Sequence, residues 1–234
     1  MTTPPVKPAY SSPEEAARIY LLPNLFTAGN MLCGFLAIKN CIEARFTTLN
    51  AEGRAEHYNM AVWFILFACI CDLFDGRVAR ATKRESLFGA EFDSIADTVS
   101  FGVAPALMAC FLVIKPEVTD NVQLVTWLLA FIYLLCAGVR LARFNVLTNP
   151  LVPGNEKRAA GGDFVGLPLP AAAGMIASLV LVLSNVMKSA DQKDPFEHAV
   201  QAWSWSLLPL MLIISFLMVS NVRFPSFKKL DWTA

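Results

Sequence analysis

The sequence predicts an all-α, polytopic membrane protein with six transmembrane helices and a short N-terminal surface helix. Three observations predict it. Of 234 residues, 56% are hydrophobic and 16% charged, with mean hydropathy +0.50, which places the chain outside soluble domains. Uncharged apolar runs recur at 19–38, 58–71, 98–114, 121–139, 164–187 and 199–222. Lys and Arg fall unequally on the two sides that those runs define. The formal net charge of zero argues against nucleic acid as a partner.

Residues 1–18 form a tail and surface helix. Pro4, Pro5 and Pro8 disfavour regular structure at the start. Ser12-Pro-Glu-Glu then reads as a capped helix start, with Pro at the first position and acids in the first turn. That helix is expected to lie on the membrane surface. No cleavable signal peptide is expected, because the N-terminus is polar and Pro-rich. Residues 19–222 make up the membrane domain and 223–234 a C-terminal tail.

A membrane span needs about 20 residues, with a range of about 17–25. Four runs qualify alone, 98–114 is at the limit, and 58–71 is too short. The two deficient runs are those that continue into the stretch from Asp72 to Asp97. Adding those residues completes two helices that carry their acids near one end.

Orientation follows from the basic residues. One side collects Lys7, Arg18, Arg77, Arg80, Lys83, Arg84, Arg140, Arg143, Lys157, Arg158, Arg223, Lys228 and Lys229. The other holds Lys39, Arg45, Arg54, Lys115, Lys188 and Lys193. Both termini and the acidic stretch are therefore expected on the cytoplasmic face of the cell's inner membrane. His57 and His198 fall on the far side, and no chemistry is assigned to them. Trp203 and Trp205 read as interfacial aromatics. The six cysteines show no regular spacing and read as small buried hydrophobes, with no disulfide framework.

The acidic stretch carries the chemistry. Asp72 and Asp75 are i,i+3, and Asp93 and Asp97 are i,i+4, so each pair shares a helix face. A polar turn over 81–88 folds the two helices back antiparallel. Counted from its middle, Asp75 and Asp93 lie at similar depth, and Asp72 and Asp97 about a turn (~5 Å) deeper. Four carboxylates then converge in poor solvent and repel one another. Hard divalent cations such as Mg²⁺ or Mn²⁺ remove that conflict. The alternatives are an ion or proton path, or pairing with Arg77, Arg80 and Lys83. Gly76 and Ala79 lie within about 40° of Asp72 around the helix. With Gly89 they leave room for a phosphate-bearing ligand at the backbone, and Arg80 adds a permanent cation suited to phosphate.

Read as D-x2-D-G-x2-A-R-x8-G-x3-D-x3-D, the residues Asp72, Asp75, Gly76, Ala79, Arg80, Gly89, Asp93 and Asp97 match a known signature at every fixed position. By that match the chain resembles the CDP-alcohol phosphotransferases. The resemblance implies that an alcohol attacks the β-phosphorus of a CDP-alcohol, usually CDP-diacylglycerol, and CMP leaves. It implies two divalent ions on Asp72, Asp75, Asp93 and Asp97, with Asp97 also the general base. Gly76, Ala79, Arg80 and Gly89 would seat the cytidine and its phosphates. The Pro-Asn-x-x-Thr stretch of the first span resembles a wall of the nucleotide pocket, which adds Asn24 and Thr27. Hydrogen bonding between helices by Asn24, Thr27 and Asn30, spaced i,i+3,i+6, is the plainer reading. A homodimer is expected on the same resemblance.

The acceptor is read from the flanks. Phe92-Asp-Ser-Ile-Ala-Asp-Thr-Val-Ser-Phe-Gly-Val-Ala-Pro105, Arg140-Leu-Ala-Arg-Phe-Asn145 and Gly166-Leu-Pro-x-Pro-Ala-Ala resemble the integral-membrane phosphatidylserine synthases. CDP-diacylglycerol and L-serine are then the expected substrates, in a setting of membrane lipid. Arg143, Asn145 and Ser100 are nominated for the serine. Lys157 and Arg158, in a polar loop over 147–162, would instead suit glycerol phosphate or inositol phosphate as acceptor. A cation transporter with an intramembrane carboxylate site is the alternative from another class. A membrane prenyltransferase is a poor match for the Gly-x-x-Ala-Arg between the acid pairs.

Overall fold

The computed structural model describes residues 21–46, 50–82, 87–114, 119–148, 164–189 and 203–224. The expected surface helix, the turn at 83–86, most of the 147–162 loop with Lys157 and Arg158, His198, and the tail beyond 224 lie outside the described residues. So do the side chains of Ala79 and Arg80.

The described chain is helical. In order it runs α1 (Leu21–Phe46), α2 (Ala51–Thr82), α3 (Leu87–Asp97), a π-helical segment (Thr98–Val103), α4 (Ala104–Val113), α5 (Asp120–Thr148), α6 (Leu169–Ser189) and α7 (Leu207–Val219). The only strands among the described residues are β1 (Phe164–Val165) and β2 (Arg223–Phe224), paired antiparallel. Among the described residues, four helices are long and apolar enough to cross a membrane: Asn24–Phe46, Leu87–Val113, Asp120–Leu147 and Leu169–Val186. The 32-residue α2 is long enough but carries more charge, and α7 is apolar but short. Apolar helices of this length identify a multi-pass membrane protein, since helices satisfy their own backbone groups where water is absent.

Prolines mark the helix starts. Pro23, Pro105, Pro170 and Pro209 each sit in a first turn, where a missing N–H costs no helical bond. The interior is built from small residues: Ala37, Cys41 and Ala44 of α1 and Ala55, Ala61 and Ala68 of α2 are all at most 1% exposed. Small side chains let membrane helices approach closely, and dispersion contacts then hold them. The outer surface reverses the pattern, with Leu25, Phe35, Phe131 and Phe216 more than half exposed. That is the surface lipid requires.

α1 and α2 pack antiparallel along their length. Phe26 stacks on Phe74 at 6.0 Å at one end, and His57 Nδ1 meets Asn40 Oδ1 at 3.1 Å at the other. α6 lies against α2, and α5 against α7. The start of α6 is tied to the end of α7. There Gly166 donates its N–H to the Val222 carbonyl at 2.9 Å. Its φ of +82° is one that glycine adopts without strain.

The π-helical segment interrupts what the sequence reads as one uniform helix. Pro105 has no N–H to offer the carbonyl four residues back, that of Phe101. The Tyr133 hydroxyl, reaching in from α5, donates to that carbonyl at 2.9 Å. On the opposite side α1 presses close. A methyl group at Gly34 would lie 2.7 Å from the Ser100 Cα. α1 therefore meets the widened segment through a glycine.

Candidate metal centre at the α1–α2–α3 junction

The carboxylates of Asp72, Asp75 and Asp93 offer oxygens that all lie within 4.8 Å of one another. α2 brings the first two on one face, and α3 carries the third against them. Asp75 is buried, and Asp72 and Asp93 are partly so. Asp97 lies one turn beyond Asp93 and is 7% exposed. It stands beside the trio, within electrostatic reach of Asp72.

α1 supplies the supporting hydrogen bonds. The Thr27 hydroxyl donates to Asp75 Oδ2 at 2.9 Å. Asn30 Nδ2 donates to Asp97 Oδ1 at 3.0 Å. Both donors are buried, so both hydrogen bonds form out of water, where they also fix the carboxylate rotamers. The i,i+3,i+6 stripe thus continues the site on a third helix. Asn24, at its outer end, has a buried Nδ2 without a hydrogen-bond partner. Asp93 Oδ1 and Asn30 Oδ1 are likewise buried without partners. Orphaned acceptors of this kind, beside three converging carboxylates, fit hard divalent cations, which take oxygen ligands only.

The remaining nominated residues fall in different places. Gly76 lies one residue past Asp75 on α2, and Gly89 one turn before Asp93 on α3, both at the end where the acids converge. Ser100 is fully buried and donates to the Asn30 carbonyl at 2.8 Å. Asn145 Nδ2 donates to Ser94 Oγ at 2.8 Å. Both line a groove of about 490 Å³ between α3 and α5, whose walls also include Glu91, Thr98 and Leu141 but none of the four aspartates. Arg143 turns to α7, donating to Asn221 Oδ1 at 2.7 Å and to the Val219 carbonyl at 3.4 Å.

Two residues beside the acids stand outside the nominated set. Asn30 was visible in the polar stripe but stood one helical turn past the Pro-Asn-x-x-Thr match. Arg140 reads in the sequence, with Arg143, as one of two boundary arginines suited either to snorkelling or to gripping a carboxylate or phosphate. It is only 9% exposed and lies within electrostatic reach of Asp97 and Asp72. The i,i+3 offset puts Arg140 and Arg143 on faces about 60° apart, and only the packing of α5 decides which one looks at the acids.

A profile of the CDP-alcohol phosphatidyltransferase family matches residues 20–219. A Helicobacter pylori protein named CDP-diacylglycerol–serine O-phosphatidyltransferase is 35% identical over 215 residues, 92% of this chain and 76% of that one. A Bacillus subtilis protein of the same name is 30% identical over 213 residues, 89% and 92% of the two chains. A Saccharomyces cerevisiae protein, again of that name, is 37% identical over 158 residues, 68% and 52%. With the match spanning every described helix, the chain belongs to the CDP-alcohol phosphatidyltransferase family.

Proposed function

We propose that this protein transfers the phosphatidyl group of CDP-diacylglycerol to the hydroxyl of L-serine, giving phosphatidylserine and CMP. The convergence of Asp72, Asp75 and Asp93, in a chain whose relatives carry that activity in their names, is the observation that carries the reading. Asp72, Asp75, Asp93 and Asp97 would hold two divalent ions, Mg²⁺ or Mn²⁺, which when bound neutralise phosphate oxygens as charge builds on them.

The chain's own residues do the rest. Thr27 and Asn30 hold the carboxylates of Asp75 and Asp97 in place. Asp97 accepts the proton of the serine hydroxyl as its oxygen bonds to the β-phosphorus. The bond from that phosphorus to the bridging oxygen breaks, and CMP departs with the electron pair. Gly76 and Gly89 admit the diphosphate to the backbone, and Ala79 and Arg80 complete its seat. Asn24, with its unpartnered Nδ2, is the α1 group free to meet the nucleotide. The acceptor end is the 140–145 segment, together with Ser100. Arg143 reaches a serine carboxylate only by leaving Asn221.

The reading extends to the whole chain. Residues 19–222 make six spans, with α2 and α7 completing the four apolar helices. The site faces the cytoplasm, where a water-soluble nucleotide is made and released, from an inner membrane and in a homodimer.

The deciding experiment measures CMP release by purified protein from CDP-diacylglycerol, with L-serine, glycerol phosphate or inositol phosphate, and with each divalent metal. Release with serine and metal only is the expected result. Release with glycerol phosphate and not serine would overturn the acceptor, and release indifferent to metal would overturn the mechanism.

A further inference from the structure

We infer that Arg140 is a substrate-binding residue that holds an oxyanion against the aspartate site: the carboxylate of the acceptor or a phosphate of the lipid donor. The inference rests on the phosphatidyl-transfer reading, and the observations that carry it are local to Arg140. Its side chain is nine-tenths buried, and its Nε has no hydrogen-bond partner. Among the described residues it makes no ion pair within 4.0 Å. Its guanidinium stacks 5.7 Å from the Phe144 ring centroid, one turn along α5.

A guanidinium keeps its charge in any protein setting, so burial cannot be relieved by losing a proton. An unpaired buried charge is costly, and one with unused donors more so. Asp97 and Asp72 lie within electrostatic reach and offset part of that cost at a distance. They do not use the donors. Asp97 already accepts from Asn30, and Asp75 from Thr27. What the geometry lacks is an anion small enough to enter between α5 and the acids. The planar fork matches a carboxylate or a phosphate in two-point contact. Arg143, three residues on, is spent on Asn221 and Val219. Of the two arginines, only Arg140 has donors to give beside the site.

The test compares Arg140→Lys and Arg140→Gln with the unaltered full-length protein in mixed micelles. It reads kcat, KM for L-serine, KM for CDP-diacylglycerol, and the melting temperature without and with L-serine. Lys keeps the charge and the apolar stem but loses the fork. It carries the decision if the Gln protein does not fold. Expected for Arg140→Lys is a rise of about tenfold to a hundredfold in one KM. The other KM stays within about twofold, and the ligand-free melting temperature is held. A rise confined to serine, with loss of the melting shift given by L-serine, identifies the carboxylate. A rise confined to CDP-diacylglycerol identifies the phosphate. Two unchanged KM values, a common rise in both, or a fall in kcat alone would overturn the inference and leave Arg140 as a counter-charge. Absence of CMP release with serine in the unaltered protein would instead count against the reading on which it rests.

Discussion

Thr27 and Asn30 matter through the oxygens they hold. Each donates one buried hydrogen bond to a carboxylate that needs a fixed rotamer if it is to share an ion. Removing such a partner leaves the ligand in place but lets it swing. Thr27→Val, close in volume but without the hydroxyl, should therefore lower activity about tenfold to a hundredfold and raise the metal concentration for half-maximal rate. A metal titration of CMP release checks this, and an unchanged half-maximal concentration would place Thr27 outside the site. Asp75→Asn and Asp93→Asn should cost more, about a hundredfold or beyond, because each removes a charge that would hold the divalent ions. Asn in place of Asp preserves the volume, so circular dichroism should show full helicity in both. These roles were legible to different degrees. Asp72, Asp75 and Asp93 announce themselves by spacing, because helical periodicity converts sequence distance directly into a face. The Thr27–Asp75 and Asn30–Asp97 contacts join residues 48 and 67 positions apart, and no local pattern encodes such a pairing.

At the level of elements, the segment from Leu87 to Val113 shows how one proline and one glycine adjust a membrane helix without breaking it. Pro105 withholds a donor from the Phe101 carbonyl, and Tyr133 replaces it from α5. Tyr133→Phe keeps the ring and removes that hydrogen bond, which in a membrane interior should lower stability by about 1–2 kcal/mol. Melting in detergent is the measurement, with activity per folded molecule expected to hold. Gly34→Leu should be worse, since even a methyl group there lies 2.7 Å from the Ser100 Cα. The pull on Ser100 and Asn30 would pass to Asp97, so activity should fall along with stability. The long apolar runs were readable because lipid demands them. α1 nevertheless continues to Phe46 and α2 begins at Ala51, well outside the uncharged runs at 19–38 and 58–71. Lys39, Glu43 and His57 sit in these extensions, where Lys39 pairs with Glu43 at 2.9 Å and His57 Nδ1 lies 3.5 Å from Glu43, contacts a hydropathy window does not see. The π-helical segment was hidden for a similar reason. Gly102 and Pro105 mark a weak point, but the register there is settled by α1 on one side and α5 on the other.

For the whole molecule, the question is which way the bundle stands in the membrane. The two ends of the α1–α2 pair differ in kind. One carries the aspartates with Thr27 and Asn30, and the other the Asn40–His57–Glu43–Lys39 cluster. Thirteen residues separate Thr27 from Asn40, about 20 Å along a helix, so the clusters sit toward opposite faces of a bilayer. The acidic end is also the end where basic residues accumulate, among them Arg77, Arg80, Lys83 and Arg84. By the positive-inside bias, the proposed orientation puts that end on the cytoplasmic side. A single cysteine in a background without the six native ones reads the orientation out. Arg84→Cys, two residues beyond the end of α2, should react with a membrane-impermeant maleimide in inverted inner-membrane vesicles and be protected in intact spheroplasts. Arg54→Cys, at the start of α2, should do the reverse. If instead Arg84→Cys labels from outside the spheroplast, the nucleotide would have to be delivered across the membrane before it could be used. The acceptor would then be drawn from outside the cell as well, and CMP release by right-side-out vesicles given external serine would follow. The labelling pattern and the sidedness of CMP release must therefore agree.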